Sequence, residues 1–143
     1  MRTEKEVIIK AVRRASADEK MGVIVQDHDR LRVVEYSEIP APEFQALNPD
    51  GSIRLSIANT GLLSFNINFI QKMATDSTIQ MPLHKAIKQV SVDKGTVSIC
   101  KYEAFLFDLL NYTDSIGLLL YPRDQIFAPL KTPADLEKLS TLL

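Results

Sequence analysis

The 143-residue sequence is the length of one domain, and its 45% apolar and 24% charged residues exclude a disordered chain and leave no apolar run long enough to span a bilayer. A formal net charge of -1, with acidic and basic residues interspersed, offers no broad positive field for nucleic acid or an anionic membrane; KAVRR at Lys10 to Arg14 is a single short basic cluster. Cys100 is the lone cysteine, which rules out an internal disulfide and, with no apolar leader in MRTEKEVIIK, points to a reducing cytoplasm.

The apolar, β-branched EVIIKAV (Glu6 to Val12) predicts a strand. RRASADEK is a polar connector and MGVIVQ a second strand. DHD then makes a tight turn into RLRVVEYSEI, so this region reads as a β-hairpin. In this second arm, which runs on through VVEYSEI, Val33, Glu35, Ser37 and Ile39 share one face, and Val34, Tyr36 and Glu38 the other. Each face would carry a carboxylate. Either these charges protect an edge strand, or one of them leans over a cleft and accepts hydrogen bonds from a polyhydroxylated ligand.

After the prolines at 40 and 42, EFQAL suits one helical turn, and NPDG (Asn48 to Gly51) is a turn signal. A short strand is expected around Leu62 to Phe65, followed by a helix capped by Asn66 or Asn68, since Phe69, Ile70 and Met73 have helical spacing. MPLHKAIKQVSVDKGTVSI is ambiguous, with extended structure at its end. YEAFLFDLLNYT predicts an amphipathic helix, SIGLLLYP a strand buried on both faces, and TPADLEKLSTLL a terminal helix with Thr132 as N-cap and Pro133 at its first position. The expected class is α/β, with a mixed sheet and one β-hairpin excursion.

Spacing supports little catalytic chemistry. His28 and His84 lie far apart, and neither an HExxH nor a CxxC pair occurs, so no metal ligands are expected in this chain. His28 reads as a surface-turn residue, His84 as a packing or hydrogen-bonding residue, and Cys100 as a small buried hydrophobe. The five glycines are too dispersed to form a phosphate-cradling loop, and no serine sits in GxSxG. DQIFAPLK (Asp124 to Lys131) is different. It follows a strand at its carboxyl end, where open α/β sheets place ligands, and its lysine is a point charge suited to phosphate oxygens.

Taken together and in order, KAVRRASADEKMGVIV, RLRVVEYSEI, YEAFLFDLL and IFAPLK resemble the eukaryotic-type UDP-sugar pyrophosphorylase family, over nearly the whole chain. The resemblance implies part of a Rossmann-like nucleotidyltransferase fold that joins UTP and a hexose 1-phosphate, N-acetylglucosamine 1-phosphate or glucose 1-phosphate, into a UDP-sugar and pyrophosphate. By position, Gly22 in MGVIV and Glu35 in VVEYSEI match residues that contact sugar hydroxyls, and Lys131 matches the lysine that contacts phosphate. Asn59 matches the first asparagine of a GNIAN-like run whose second asparagine is replaced here by Leu62. The family's glycine-rich loop, its uracil-reading residues and the aspartate that binds Mg²⁺ have no counterpart in this sequence. Residues 1–143 are therefore expected to be a single partial domain, the sugar-binding C-terminal half of the catalytic domain. The alternative is a non-catalytic remnant or interaction module that pairs as a homodimer through an uncovered sheet edge.

Overall fold

The structure is a computed structural model that describes residues 4–93, 95–130, 133, 135 and 136. Among the described residues the named strands and α-helices are β1 (Val7–Arg13), β2 (Val23–Asp27), β3 (Arg30–Val34), α1 (Ala41–Phe44), β4 (Ile57–Phe65), α2 (Ile67–Thr75), β5 (His84–Val92), β6 (Gly95–Glu103), β7 (Ile116–Leu120) and α3 (Arg123–Ile126). Two 3-10 turns, Tyr36–Glu38 and Leu106–Tyr112, complete the set. Five strands form one sheet in the order β3-β2-β4-β1-β7, with β1 and β7 parallel and the other pairs antiparallel. β5 and β6 form a separate hairpin. This is the mixed α/β sheet that the sequence led us to expect; the expected hairpin is β2–β3, which forms one edge of that sheet, whereas β5–β6 arises from the stretch the sequence left ambiguous.

β1 is the organising strand. Val7, Ile9 and Ala11 alternate onto one face and are fully buried there against Phe69 and Met73 of α2 and Phe107, Leu109 and Leu110 of the second 3-10 turn. Fully burying a Val, Ile or Phe side chain contributes roughly 1.5–3 kcal/mol, so this face supplies most of the drive for the sheet to close. Val12 packs with Met21, Ala58, Ile126 and Phe127 in a second, smaller cluster. α2 begins where asparagine was expected to cap it: the Asn66 side chain accepts from the Asn68 N–H at 2.9 Å.

Four expectations are corrected. The strand in RLRVVEYSEI ends at Val34, because the Glu38 N–H turns back to the Glu35 carbonyl (2.9 Å) and winds YSE into a 3-10 turn, so the strand alternation assumed for Glu35 and Glu38 does not apply. YEAFLFDLLNYT is not an α-helix; its start belongs to β6, and Leu106–Tyr112 is 3-10, burying Phe107, Asp108, Leu109 and Leu110 consecutively. β7 does pair in parallel with β1, but as an edge strand whose Leu119 and Leu120 are exposed. Cys100 is exposed on β6 rather than buried. The terminal helix expected over TPADLEKLSTLL falls mainly outside the described residues, as does Lys131.

β4 is longer than predicted. It runs through Ile57–Gly61 despite the asparagine and glycine, and its register against β1 shifts between Lys10 and Ala11, which pair with Leu62 and Asn59. The residues skipped are Thr60 and Gly61. Gly61 takes φ of +80°, which an L side chain rarely adopts, and the Thr60 hydroxyl donates to the Lys10 carbonyl at 2.6 Å, so the bulge leaves its polar groups paired.

Arg14, directly after β1, is 96% shielded from solvent and donates to the carbonyls of Phe44 (3.0 Å), Leu55 (3.1 Å) and Ala17, with its guanidinium 3.7 Å over the Phe44 ring. Burial lowers its pKa, and Glu19 and Asp18 partly offset that shift. One cation thereby fastens α1, the segment before β4 and the loop that leads to Gly22. Arg14→Met should lower the free energy of urea unfolding by about 3 kcal/mol, since three carbonyls lose a charged donor, and Arg14→Lys should restore only part of it. A loss below about 1 kcal/mol would contradict this role.

Candidate functional site

The loop before β2, the bulge of β4, the turn after β3 and the segment after α3 meet around a cleft of about 440 Å³. Gly22, Glu35 and Asn59 line it together, although 13 residues separate the first two and 24 the last two. Their convergence has a backbone cause: the Asn59 N–H donates to the Gly22 carbonyl at 2.9 Å, next to Val23↔Ala58, the register pair joining β2 to β4. Glu35 then reaches back over Gly22. A Cβ added to Gly22 would lie 2.7 Å from Glu35 Oε1, so the absence of a side chain there is what lets the carboxylate occupy its position.

The chemistry of these groups is complementary. The Asn59 side-chain carbonyl accepts from the Gly61 N–H (3.0 Å), so the group it offers to a ligand is its Nδ2 donor, while Glu35 offers carboxylate acceptors. A donor and an acceptor lining one cleft suit a hydroxyl-bearing ligand, because each hydroxyl both gives and receives. Leu63, Phe105, Leu106 and Phe107 form the apolar wall, with Phe105 and Phe107 stacked at 4.8 Å and 15°. Apolar rings facing polar groups match the two-sided character of a pyranose, whose C–H face packs on aromatics.

Phe127 and Pro129 of the IFAPLK segment close the far side of the cleft. Arg123 holds that segment: its guanidinium lies 4.8 Å over the Phe127 ring, bonds the Glu19 carboxylate, and donates to the Arg13 carbonyl at 3.3 Å. Lys131 follows Pro129 by two residues, and its own placement lies outside the described residues. Of the four residues singled out from sequence, three are thus brought to one cleft.

Behind the cleft lies a constellation that sequence reading missed. His84 sits between two carboxylates, with Nδ1 2.6 Å from Glu38 Oε1 and Nε2 2.9 Å from Asp108 Oδ2. Hydrogen bonding to Glu38 raises its pKa above the ordinary histidine range, desolvation opposes the rise, and Asp108 adds to it. The two carboxylates engage opposite ring nitrogens and do not converge on a point, and among the described residues no group of three or more His, Cys, Asp or Glu could hold a metal ion. The His28 side chain, in a turn at φ of +54°, bonds its neighbour Asp27.

Comparison with known proteins supplies the context. The family model of UTP–glucose-1-phosphate uridylyltransferase matches residues 1–141. The chain is 33% identical over 125 residues to UDP-N-acetylglucosamine diphosphorylase 1 of Arabidopsis thaliana, covering 85% of this chain and 25% of that protein. It is likewise 33% identical over 140 residues to a probable UDP-N-acetylglucosamine pyrophosphorylase of Schizosaccharomyces pombe, covering 88% and 29%. Among solved structures, the uridine diphosphate N-acetylglucosamine pyrophosphorylase of Trypanosoma brucei superposes with a TM-score of 0.72 at 28% identity, over 94% of this chain and 29% of that one. The chain therefore spans between a quarter and a third of the length of these relatives.

The close approach at Gly22 makes a sharp prediction. Gly22 is not a positive-φ glycine, and the atom its new methyl would meet is the end of a side chain. Gly22→Ala should therefore change stability by less than about 1 kcal/mol yet displace Glu35 to another rotamer, as seen in a crystal structure of the variant. An unmoved Glu35 would refute the arrangement.

Proposed function

The chain belongs to the UTP–glucose-1-phosphate uridylyltransferase family, and from that premise we propose that it forms the sugar-binding part of a UDP-sugar pyrophosphorylase. The carrying observation is the meeting of Gly22, Glu35 and Asn59 in one cleft with a stacked aromatic wall. The complete protein would bind UTP and a hexose 1-phosphate, N-acetylglucosamine 1-phosphate or glucose 1-phosphate. A phosphate oxygen of the sugar phosphate attacks the α-phosphorus of UTP in line, the P–O bond to the β-phosphate breaks, and pyrophosphate leaves.

Such a displacement needs positioning and charge neutralisation, not a covalent nucleophile. In this chain Glu35 and Asn59 would orient the hexose, Gly22 would make room for Glu35, and Lys131 would steady phosphate charge. An unmatched buried hydroxyl costs on the order of 1–3 kcal/mol, enough for Glu35 to discriminate among hexoses. The names of the relatives favour the acetamido sugar. The complete enzyme would use Mg²⁺, held together with phosphate oxygens of the substrate.

A cytoplasmic setting is part of the same proposal; its support is the exposed free thiol of Cys100, which suits a reducing compartment. Among the described residues, no helix is long and apolar enough to cross a membrane. A second reading, a non-catalytic module that pairs as a homodimer, draws on the outer edge of β7, where Leu119 and Leu120 are exposed and a further strand could add.

The test is pyrophosphate release from UTP and each hexose 1-phosphate by the protein that carries this chain. Lys131→Ala is expected to lower kcat on the order of 10²-fold, and Glu35→Ala to raise KM for the sugar phosphate more than it lowers kcat. Unchanged kinetics in both variants would refute the assignment; no turnover by the wild type would favour the non-catalytic reading.

A further inference from the structure

The cleft has a neighbour. A second cavity, of about 480 Å³, shares Glu35, Tyr36 and Phe105 with it as a common wall, and His84 lines that second cavity. The His84 ring lies 4.8 Å from the Phe105 ring, tilted by 47°, and its Nδ1 is bonded to Glu38. Glu38 closes the 3-10 turn that Glu35 opens, through the bond from the Glu38 N–H to the Glu35 carbonyl. On its other side His84 meets Asp108, which is buried in the turn that follows Phe105. One imidazole thus touches the aromatic wall of the cleft directly and the glutamate turn through a single hydrogen bond.

We propose that His84 is a positioning residue for sugar recognition: bridging Glu38 and Asp108, it fixes the turn that presents Glu35 and the ring of Phe105 against which the sugar packs. The inference rests on the reading of the cleft as a hexose site. It has a chemical signature. Only the imidazolium carries an N–H on both nitrogens; a neutral ring has one N–H and one lone pair, and that lone pair would face a carboxylate. The bridge is therefore complete only while His84 is charged.

The surroundings favour that charge. Glu38 and Glu35 approach from the turn after β3, Asp108 from the second 3-10 turn and Glu103 from β6, where it is the register partner of His84, against Lys85 and Lys88 on the histidine's own strand. Hydrogen bonding to Glu38 raises the His84 pKa, desolvation opposes the rise, and Asp108 adds to it. Because the pKa in the folded chain is raised, the bridge is intact below the ordinary histidine pKa and is lost as pH rises through the raised value. Sugar affinity should fall over the same window. The pyrophosphate of a UDP-sugar has no ionisation near neutrality, so the profile reports the protein.

Calorimetric titration of UDP-N-acetylglucosamine and UDP-glucose into the chain, from pH 6 to 8.5, tests this on the wild type, His84→Gln and Asp108→Asn. Wild-type affinity is expected to drop several-fold across the range, and His84→Gln to bind weakly at every pH. Asp108→Asn is the telling variant. Its amide can donate to a neutral Nε2 while Nδ1–H donates to Glu38, so it should match the wild type at low pH and keep its affinity at high pH. If Asp108→Asn does not fold, Glu38→Gln on the exposed side of the ring makes the same test with the nitrogens exchanged. Parallel pH profiles for wild type and the amide variant, or wild-type affinity in His84→Gln, would overturn the positioning role while leaving the hexose site standing. Absence of binding by the wild type at any pH would overturn the hexose site itself, and this inference with it.

Discussion

The hydrogen bond from the Asn59 N–H to the Gly22 carbonyl is the constraint on which the rest depends. The β2–β3 hairpin joins the sheet through the register pair Val23↔Ala58, and this bond lies beside that pair. It sets the end of one loop against the bulge of β4, so that Gly22, Asn59 and, by way of β3, Glu35 face the same space. The bulge matters for the same reason. Without the two skipped residues, Thr60 and Gly61, the pleat would carry Asn59 in continuous register with β1, and the local widening at the head of the cleft would be lost.

Around this junction, basic side chains fasten the irregular segments that the sheet cannot reach. Arg14 holds the loop before Gly22 and α1, Arg123 joins Glu19 to the ring of Phe127, and His84 ties the β5–β6 hairpin to both 3-10 turns. Each uses directional bonds where little apolar area is available. Loops that carry binding residues need such ties, because a site displaced by an ångström loses much of its value. The β5–β6 hairpin shows the contrast: beyond His84 it stands apart from the main sheet, with Ile87, Val92 and Ile99 exposed.

Where local chemistry dominates, the sequence was legible. Asn66 caps α2, NPDG turns, DHD turns with His28 left-handed, and EVIIKAV and SIGLLLYP are strands, because each signal is contained within a few residues. Where distant segments decide, it was not. VVEYSEI looked like a continuing strand, yet among the described residues its pairing ends at Val34 and the chain turns. The apolar positions of YEAFLFDLL fit an α-helix, yet the packing of Phe107, Leu109 and Leu110 against β1 draws the segment into 3-10 geometry. That misreading also hid the aromatic wall. Gly22, Glu35 and Asn59 were singled out through family resemblance and not through spacing, and His84 is joined to residues 46 and 24 positions away, for which no motif exists.

The proposed function requires that the Glu35 cleft hold the sugar of a UDP-sugar. Saturation-transfer NMR of the chain with UDP-N-acetylglucosamine and UDP-glucose tests it most directly, repeated on Glu35→Ala. Transfer to the sugar-ring protons is expected in the wild type and not in the variant, with the stronger signal naming the preferred hexose. Transfer that survives the loss of Glu35 unchanged, or no transfer from either ligand, would contradict it.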